Sequence, residues 1–369
     1  MRVLMLSKTC IAEAYQRKLA ALAREVDLTV VVPPYWRDDA GRKAPLERAE
    51  AEGYRLVVEP MALNGHFHTH FYPRLARRFR EARPDVVHVD EEPYNLATFQ
   101  AIWLARRHGA RALFYTWQNL RRRYPPPFSW IERYGYRATA GALCASAEAA
   151  GVLRQKGYQG RTWLVPHYSV SPDLFLDSAD GRTRTADRPF TIGWFSGRLR
   201  PEKGVHLLVE AVAMLGDQTR LEVLGWGPEE PRLRALAAER GLGDRFSIHP
   251  PLPSARVPEF VHRLNVAAMP SLTAPNWKEQ FGRMLVEAMA CGVPVVGSDS
   301  GEIAQVIGGA GLLFPEGDVP ALAECLRRLR DGPTLRQELA ARGLARVRAC
   351  YTQAQIAAQT MEVYREVVG

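Results

Sequence analysis

Cysteine is scarce in this 369-residue chain: Cys10, Cys144, Cys291, Cys325 and Cys350 are odd in number, scattered, and form no CxxC pair. That excludes a disulfide framework and a cysteine-built zinc site, and it points to a reducing compartment. No stretch reaches the roughly 18 uncharged apolar residues that a membrane-spanning helix needs. Met1-Arg2-Val3-Leu4-Met5-Leu6 turns polar at Ser7-Lys8, too soon for a signal peptide, and reads as the first strand of a fold. No G-x-G-x-x-G follows that strand, which excludes a Rossmann dehydrogenase. No internal repeat is present, and Pro125-Pro126-Pro127 is the one low-complexity run. These absences leave a cytoplasmic globular protein, long enough for two domains of moderate size.

What is present is basic: 49 Lys and Arg against 40 Asp and Glu, a net charge of +9. Such a balance suits nucleic acid, diphosphates or an anionic lipid surface. The basic residues are spread along the chain and no nucleic-acid module appears, so nucleic acid is not an expected partner. A DNA affinity falling steeply with salt would revive that reading. The local exception is Arg121-Arg122-Arg123-Tyr124, followed by the proline run and Phe128-Ser129-Trp130. It reads either as a solvated loop or as a peripheral contact with an anionic membrane.

Short Val-, Ile- and Leu-rich runs alternate with amphipathic segments. The runs are 2–6, 28–32, 85–89, 112–116 and 141–145, then 190–195, 221–224, 246–249, 266–269 and 293–296. Segments such as 12–24 and 207–215 repeat apolar residues three and four apart. This alternation predicts an α/β protein with parallel sheets covered by helices on both faces. Residues 177–189, small and charged, interrupt it and mark a boundary. The expected organisation is a first domain over 1–180, a second over 189–350, and a final helix over 351–369 that returns to the first. Ligands in such sheets bind at the carboxyl ends of strands.

Three stretches of the second half carry chemistry. Gly292 and Pro294 stop a helix that runs back to about Gly282, placing Glu279 in the entering loop and Glu287 inside the helix. The helix start between them is a phosphate site. The two carboxylates read as ligands of sugar and ribose hydroxyls, or else as solvated glutamates. Ser196-Gly197-Arg198-Leu199-Arg200-Pro201-Glu202-Lys203-Gly204 lies between a strand ending near Phe195 and a helix beginning near Val205. Its cations Arg198 and Lys203 suit a phosphate clamp, the alternative being a basic surface loop. Gly225-Trp226-Gly227-Pro228 follows the next strand, where glycines allow close backbone approach and Pro228 suits a first helical turn.

In this order and spacing, G-R-x-x-x-x-K-G at 197–204, G-x-G-P at 225–228 and E-x7-E at 279–287 resemble the donor-binding half of family 4 glycosyltransferases. The resemblance is strong over 190–315. It implies the GT-B fold, two Rossmann-like doubly wound domains facing each other across a cleft. It implies a retaining hexosyl transfer from a nucleotide diphosphate sugar (UDP-glucose or UDP-GlcNAc first) to a small-molecule, glycan or lipid-linked acceptor. Arg198 and Lys203 would hold the diphosphate, Glu279 the donor sugar and Glu287 the ribose. Main-chain N–H groups at Phe281-Gly282 would meet sugar or phosphate. No metal is expected, since no D-x-D cluster is present and two cations with a helix dipole would stabilise the leaving group.

The first half departs from the family pattern. Ser7-Lys8-Thr9-Cys10 stands where a glycine-rich loop is usual, with Lys8 or Thr9 near phosphate or acceptor. Thr116-Trp117-Gln118-Asn119 stands where many members place a histidine, leaving Gln118 or Asn119 to supply a neutral hydrogen bond. Glu91-Glu92-Pro93 resembles a His-Glu-Pro, one glutamate contacting the acceptor or else capping the next helix. Gln280 replaces a glycine, and His167-Tyr168-Ser169-Val170 replaces N-G-V-D. His66, His68 and His70 alternate like zinc ligands but lack a partner, and read as an acceptor-facing loop. Rival readings are a GT-B epimerase or phosphorylase, separable by product analysis, and a non-catalytic relative that binds sugar nucleotide.

Overall fold

A computed structural model describes residues 1–38, 41–48, 53–175 and 189–369. The strands are β1 (Arg2–Leu6), β2 (Asp27–Val32), β3 (Tyr35–Arg37), β4 (Lys43–Pro45), β5 (Arg55–Val58), β6 (Val86–Val89), β7 (Arg111–Thr116), β8 (Gly141–Cys144) and β9 (Arg161–Leu164). They continue with β10 (Phe190–Arg198), β11 (Thr219–Trp226), β12 (Phe246–His249), β13 (Val266–Met269), β14 (Val295–Ser298) and β15 (Leu312–Phe314). Two compact units result, one of Met1–Ser169 with Gln353–Gly369, the other of Val170–Thr352. Of the segment read as the boundary, 177–188 lies outside the described residues.

The first unit holds a parallel sheet in the order β5-β2-β1-β6-β7-β8-β9, the second one in the order β12-β11-β10-β13-β14-β15. Each order reverses direction beside its first strand, at β1/β6 and at β10/β13, which opens a crevice at the strands' carboxyl ends. Central strands are apolar without alternation because helices cover both faces: Val266–Met269 is wholly buried. The strands absent from the sequence reading, β5, β9 and β15, are short and at sheet edges, half-exposed and so without a continuous apolar run. β3 and β4 form a small antiparallel pair outside the main sheet.

Helix Gln353–Val368 belongs to the first unit. Ile356, Met361, Val363 and Tyr364 are buried in one core with Val3, Met5, Leu19 and Val30. Tyr364 Oη lies 2.6 Å from His88 Nδ1, tying the chain's last helix to a central strand.

Three boundaries differ from expectation. β10 continues past Phe195 to Arg198, and β11 past Leu224 to Trp226. The reason is a register shift between Trp194 and Gly197, after which Gly197 pairs with Gly225 and Arg198 with Trp226. Arg198 therefore ends a strand rather than floating in a loop. The helix after β11 starts at Glu230, so the proline in its first turn is Pro231, not Pro228.

Candidate functional site

In the second unit the loops after β10 and β13 are locked to each other. Gly204 has φ +69, and a Cβ there would stand 1.8 Å from Pro270 O, so only glycine fits. Leu272 N donates to Glu202 O at 2.8 Å. This lock brings Lys203 Nζ to 2.9 Å from Glu279 Oε2. Ser271 Oγ donates to the same oxygen at 3.3 Å, and the ammonium lies 4.5 Å from the Trp277 ring centre. Glu279 is buried, and its carbonyl accepts from Glu302 N at 3.3 Å.

Arg198 sits apart from that pair, its guanidinium 5.3 Å from the Trp226 ring centre. Its Nε is buried and has no hydrogen-bond partner among the described residues. A buried charged donor without an acceptor is costly, and an anion would remove that cost. Gly227 lets the following loop close on Leu199, whose carbonyl would be 2.2 Å from an added Cβ. Gly282, at φ +85, opens helix Arg283–Ala290 with no side-chain cap, its carbonyl accepting from Leu285 N at 3.0 Å, and half-buried Phe281 lies beside this helix start. One turn on, buried Glu287 accepts from Arg283 Nε at 2.8 Å.

The first unit's counterpart is acidic. Asp90, Glu91 and Glu92 follow β6 at its switch point and are all buried. Asp90 Oδ2 accepts from Ser7 Oγ at 2.5 Å and Thr9 Oγ1 at 2.9 Å, and His167 Nε2 lies 2.9 Å from Oδ1. Glu91 Oε2 receives Lys8 Nζ at 2.8 Å, His70 Nε2 at 2.7 Å and Asn95 Nδ2 at 3.0 Å. Glu92 accepts from Thr116 Oγ1 at 2.8 Å and Trp117 N at 2.7 Å.

Adjacent glutamates thus meet opposite fields. Burial pushes the Glu92 carboxyl up to about 7, since only neutral donors oppose it at contact. Burial also acts on Glu91, but the charge of Lys8 and then His70 outweigh it and bring that carboxyl down to about 2. Asp90 is likewise held low: burial opposes its ionisation, and His167 overcomes burial.

Gln118 is engaged on both sides, donating to Tyr124 Oη at 3.0 Å and accepting from Lys156 Nζ at 2.9 Å. Asn119 is buried. Lys8 lies 5.4 Å from both the Trp36 and Phe67 ring centres. The three loop histidines diverge: His70 turns to Glu91, His68 packs among Tyr94, Tyr124 and Phe128, and His66 gives its carbonyl to His70 Nδ1. Among the described residues no group of three or more His, Cys, Asp or Glu side chains could hold a metal. Arg121, Arg122 and Arg123 are exposed.

Sequence reasoning missed Asp90, His70's partner, His167's partner, Ser271 and Trp277. Asp90 directly precedes Glu91, a local signal; the partners of His70 and His167 and the contact of Trp277 with Lys203 join distant residues, and Ser271, eight residues before Glu279, carries no motif.

The model for glycosyl transferases group 1 matches residues 185–346, and that for the glycosyl transferase 4-like domain matches 11–167. The 2-deoxystreptamine N-acetyl-D-glucosaminyltransferase of Streptomyces fradiae is 30% identical over 306 residues, 76% of this chain and 70% of the relative. Other curated relatives are matched over 34% to 69% of their own lengths. Sucrose-phosphate synthase from Thermosynechococcus elongatus superposes with TM-score 0.73 at 20% identity, covering 99% of this chain and 98% of that one. Anabaena Alr3699/HepE, solved in complex with UDP, does so with TM-score 0.71 at 18% identity, over 99% of this chain and 100% of its own.

Proposed function

This chain belongs to the family 4 glycosyltransferases and has their GT-B fold, and from that premise we propose that it moves a hexosyl group from a UDP-sugar to an acceptor hydroxyl with retention of configuration. The observation that carries the reading is the locked pair Lys203–Glu279 at the second unit's switch point, with the orphaned Arg198 Nε on the same strand end. UDP in a neighbour of the same fold supports uridine as the base.

In this mechanism Arg198 and Lys203 hold the diphosphate with the N–H groups at Gly282. Glu279 is then released from Lys203 and accepts hydroxyls of the sugar, while Glu287 accepts those of ribose. The bond from the anomeric carbon to the diphosphate oxygen breaks first. The acceptor oxygen bonds on the same face, and its proton passes to the departing phosphate oxygen. Charge develops on the diphosphate, where two fixed cations and a helix start are most effective, so the reaction proceeds without a metal. Lys8, Glu91 and Glu92 of the first unit serve the acceptor, and Gln118 and Asn119 shape the place where the first unit holds it.

The test is turnover of UDP-glucose and UDP-GlcNAc over a panel of hydroxyl acceptors, followed by NMR of the anomeric proton. An α-linked product with release of UDP is expected. A β-linked product overturns retention, and an epimerised donor without transfer overturns the reaction class.

A further inference from the structure

Residues 71–140 of the first unit hold thirteen arginines, no lysine and six acids. Four of those acids, Asp90, Glu91, Glu92 and Glu132, are buried. The remaining two are already paired, Glu81 with Arg77 and Arg78, and Asp85 with Arg2. The surface of this region is therefore almost purely cationic.

Helices Leu75–Ala82, Leu96–Arg107 and Phe128–Ala138 form one layer over the sheet. Leu75, Phe79, Ala101, Ile102 and Ala105 share a single core beneath it, with Tyr134 and Ala138 packed on the same core. Their outer stripes follow helical spacing: Arg77 and Arg80 on the first, Trp103, Arg106 and Arg107 on the second, Trp130, Arg133 and Arg137 on the third. Both indoles are exposed, Trp103 by 40% and Trp130 by 60%, and the Arg107 guanidinium lies 4.3 Å from the Trp103 ring centre.

Arginines in the last turn complement the helix dipole, which accounts for Arg80, Arg106, Arg107 and Arg137. It leaves Arg133 and the two tryptophans unexplained, Arg77 being paired with Glu81. Arginine with exposed tryptophan is the composition that settles at the headgroup level of an anionic bilayer. Among the described residues no helix is long and apolar enough to cross a membrane, so contact would be from one side.

We propose that the outer face of these three helices docks on an anionic lipid surface. It commits the first unit to a membrane partner independently of how the second unit holds its donor. Three arginines near such a surface contribute roughly fivefold each in partitioning, about a hundredfold together.

The experiment is flotation of the full chain with phosphatidylcholine vesicles, with and without phosphatidylglycerol, at low and high salt. The variants are the triple Arg106→Glu, Arg133→Glu, Arg137→Glu, the double Trp103→Ala, Trp130→Ala, and a control in the second unit, Arg328→Glu with Arg348→Glu. Circular dichroism checks that each is folded. Salt-sensitive binding to the anionic vesicles alone, reduced about a hundredfold or more by the triple variant and unchanged by the control, is the expected result. No binding to anionic vesicles, or equal loss in triple and control variants, overturns the proposal. Tighter, face-dependent binding to duplex DNA than to vesicles also overturns it, assigning the face to nucleic acid.

Discussion

The two units are built on the same plan and use it oppositely. Each parallel sheet reverses its strand order beside its first strand, and each places charged side chains just beyond that reversal. In the second unit the groups at that point are cations with a helix start, Arg198, Lys203 and Gly282, and one buried carboxylate, Glu279, paired with Lys203. In the first they are buried carboxylates, Asp90, Glu91 and Glu92, held by neighbours from four other loops. In the second unit the loops are shaped by glycines whose positions are fixed to the residue, the backbone approach that the proposed diphosphate needs. The carboxylate site is held by side-chain pairs, which tolerate any loop that delivers them.

The largest effect that would break this contrast is on turnover. Glu279→Ala should lower turnover on the order of 10²- to 10³-fold while UDP affinity changes little, because the carboxylate is assigned to the sugar. Steady-state rates beside calorimetry check it; equal losses in both would remove that assignment.

Next comes stability. Gly204→Ala forces a Cβ onto Pro270 O at a positive φ and should cost about 3 kcal/mol or more by urea unfolding. Gly216→Ala, also at positive φ but with open space around it, should cost about 1 kcal/mol. In the first unit Ser7→Ala removes a donor to buried, ionised Asp90 and should cost about 2 kcal/mol. A Gly204 variant as stable as the Gly216 variant would show that the second unit's loops are not backbone-locked.

The most gradual is the pH dependence of the first unit, spread over more than two pH units. Glu92 has a folded value near 7, above its ordinary 4.5, so the folded state keeps a proton that the unfolded chain has lost. Stability therefore falls as pH rises from about 4.5 to 7, by at most about 3 kcal/mol, and Glu92→Gln should flatten that slope. Glu91 is depressed to about 2, so its contribution is full above 4.5 and lost as pH falls toward 2. Unfolding midpoints against pH for Glu92→Gln and Glu91→Gln read both signs. Parallel profiles would contradict the opposite fields.

The same contrast explains what was legible. Each buried central strand announced itself as an apolar run, while edge strands such as Leu312–Phe314, half-exposed and three residues long, did not. Glu279, Lys203 and Gly282 were legible because a turn and a helix start impose local spacing. The bond from Ser7 to Asp90 joins residues 83 apart, and that from His167 to Asp90 residues 77 apart. Nothing local in the chain encodes such pairs. Strand ends are illegible for a related reason, since the shift that extends β10 to Arg198 depends on pairing with β11.

The most direct test of the central claim is calorimetric titration of UDP, GDP and ADP into the wild-type chain and into Lys203→Ala, without added metal. The account predicts saturable binding of UDP by the wild type, weakened at least about tenfold in the variant. No binding of any nucleotide by a folded sample, or equal binding by both proteins, would contradict it.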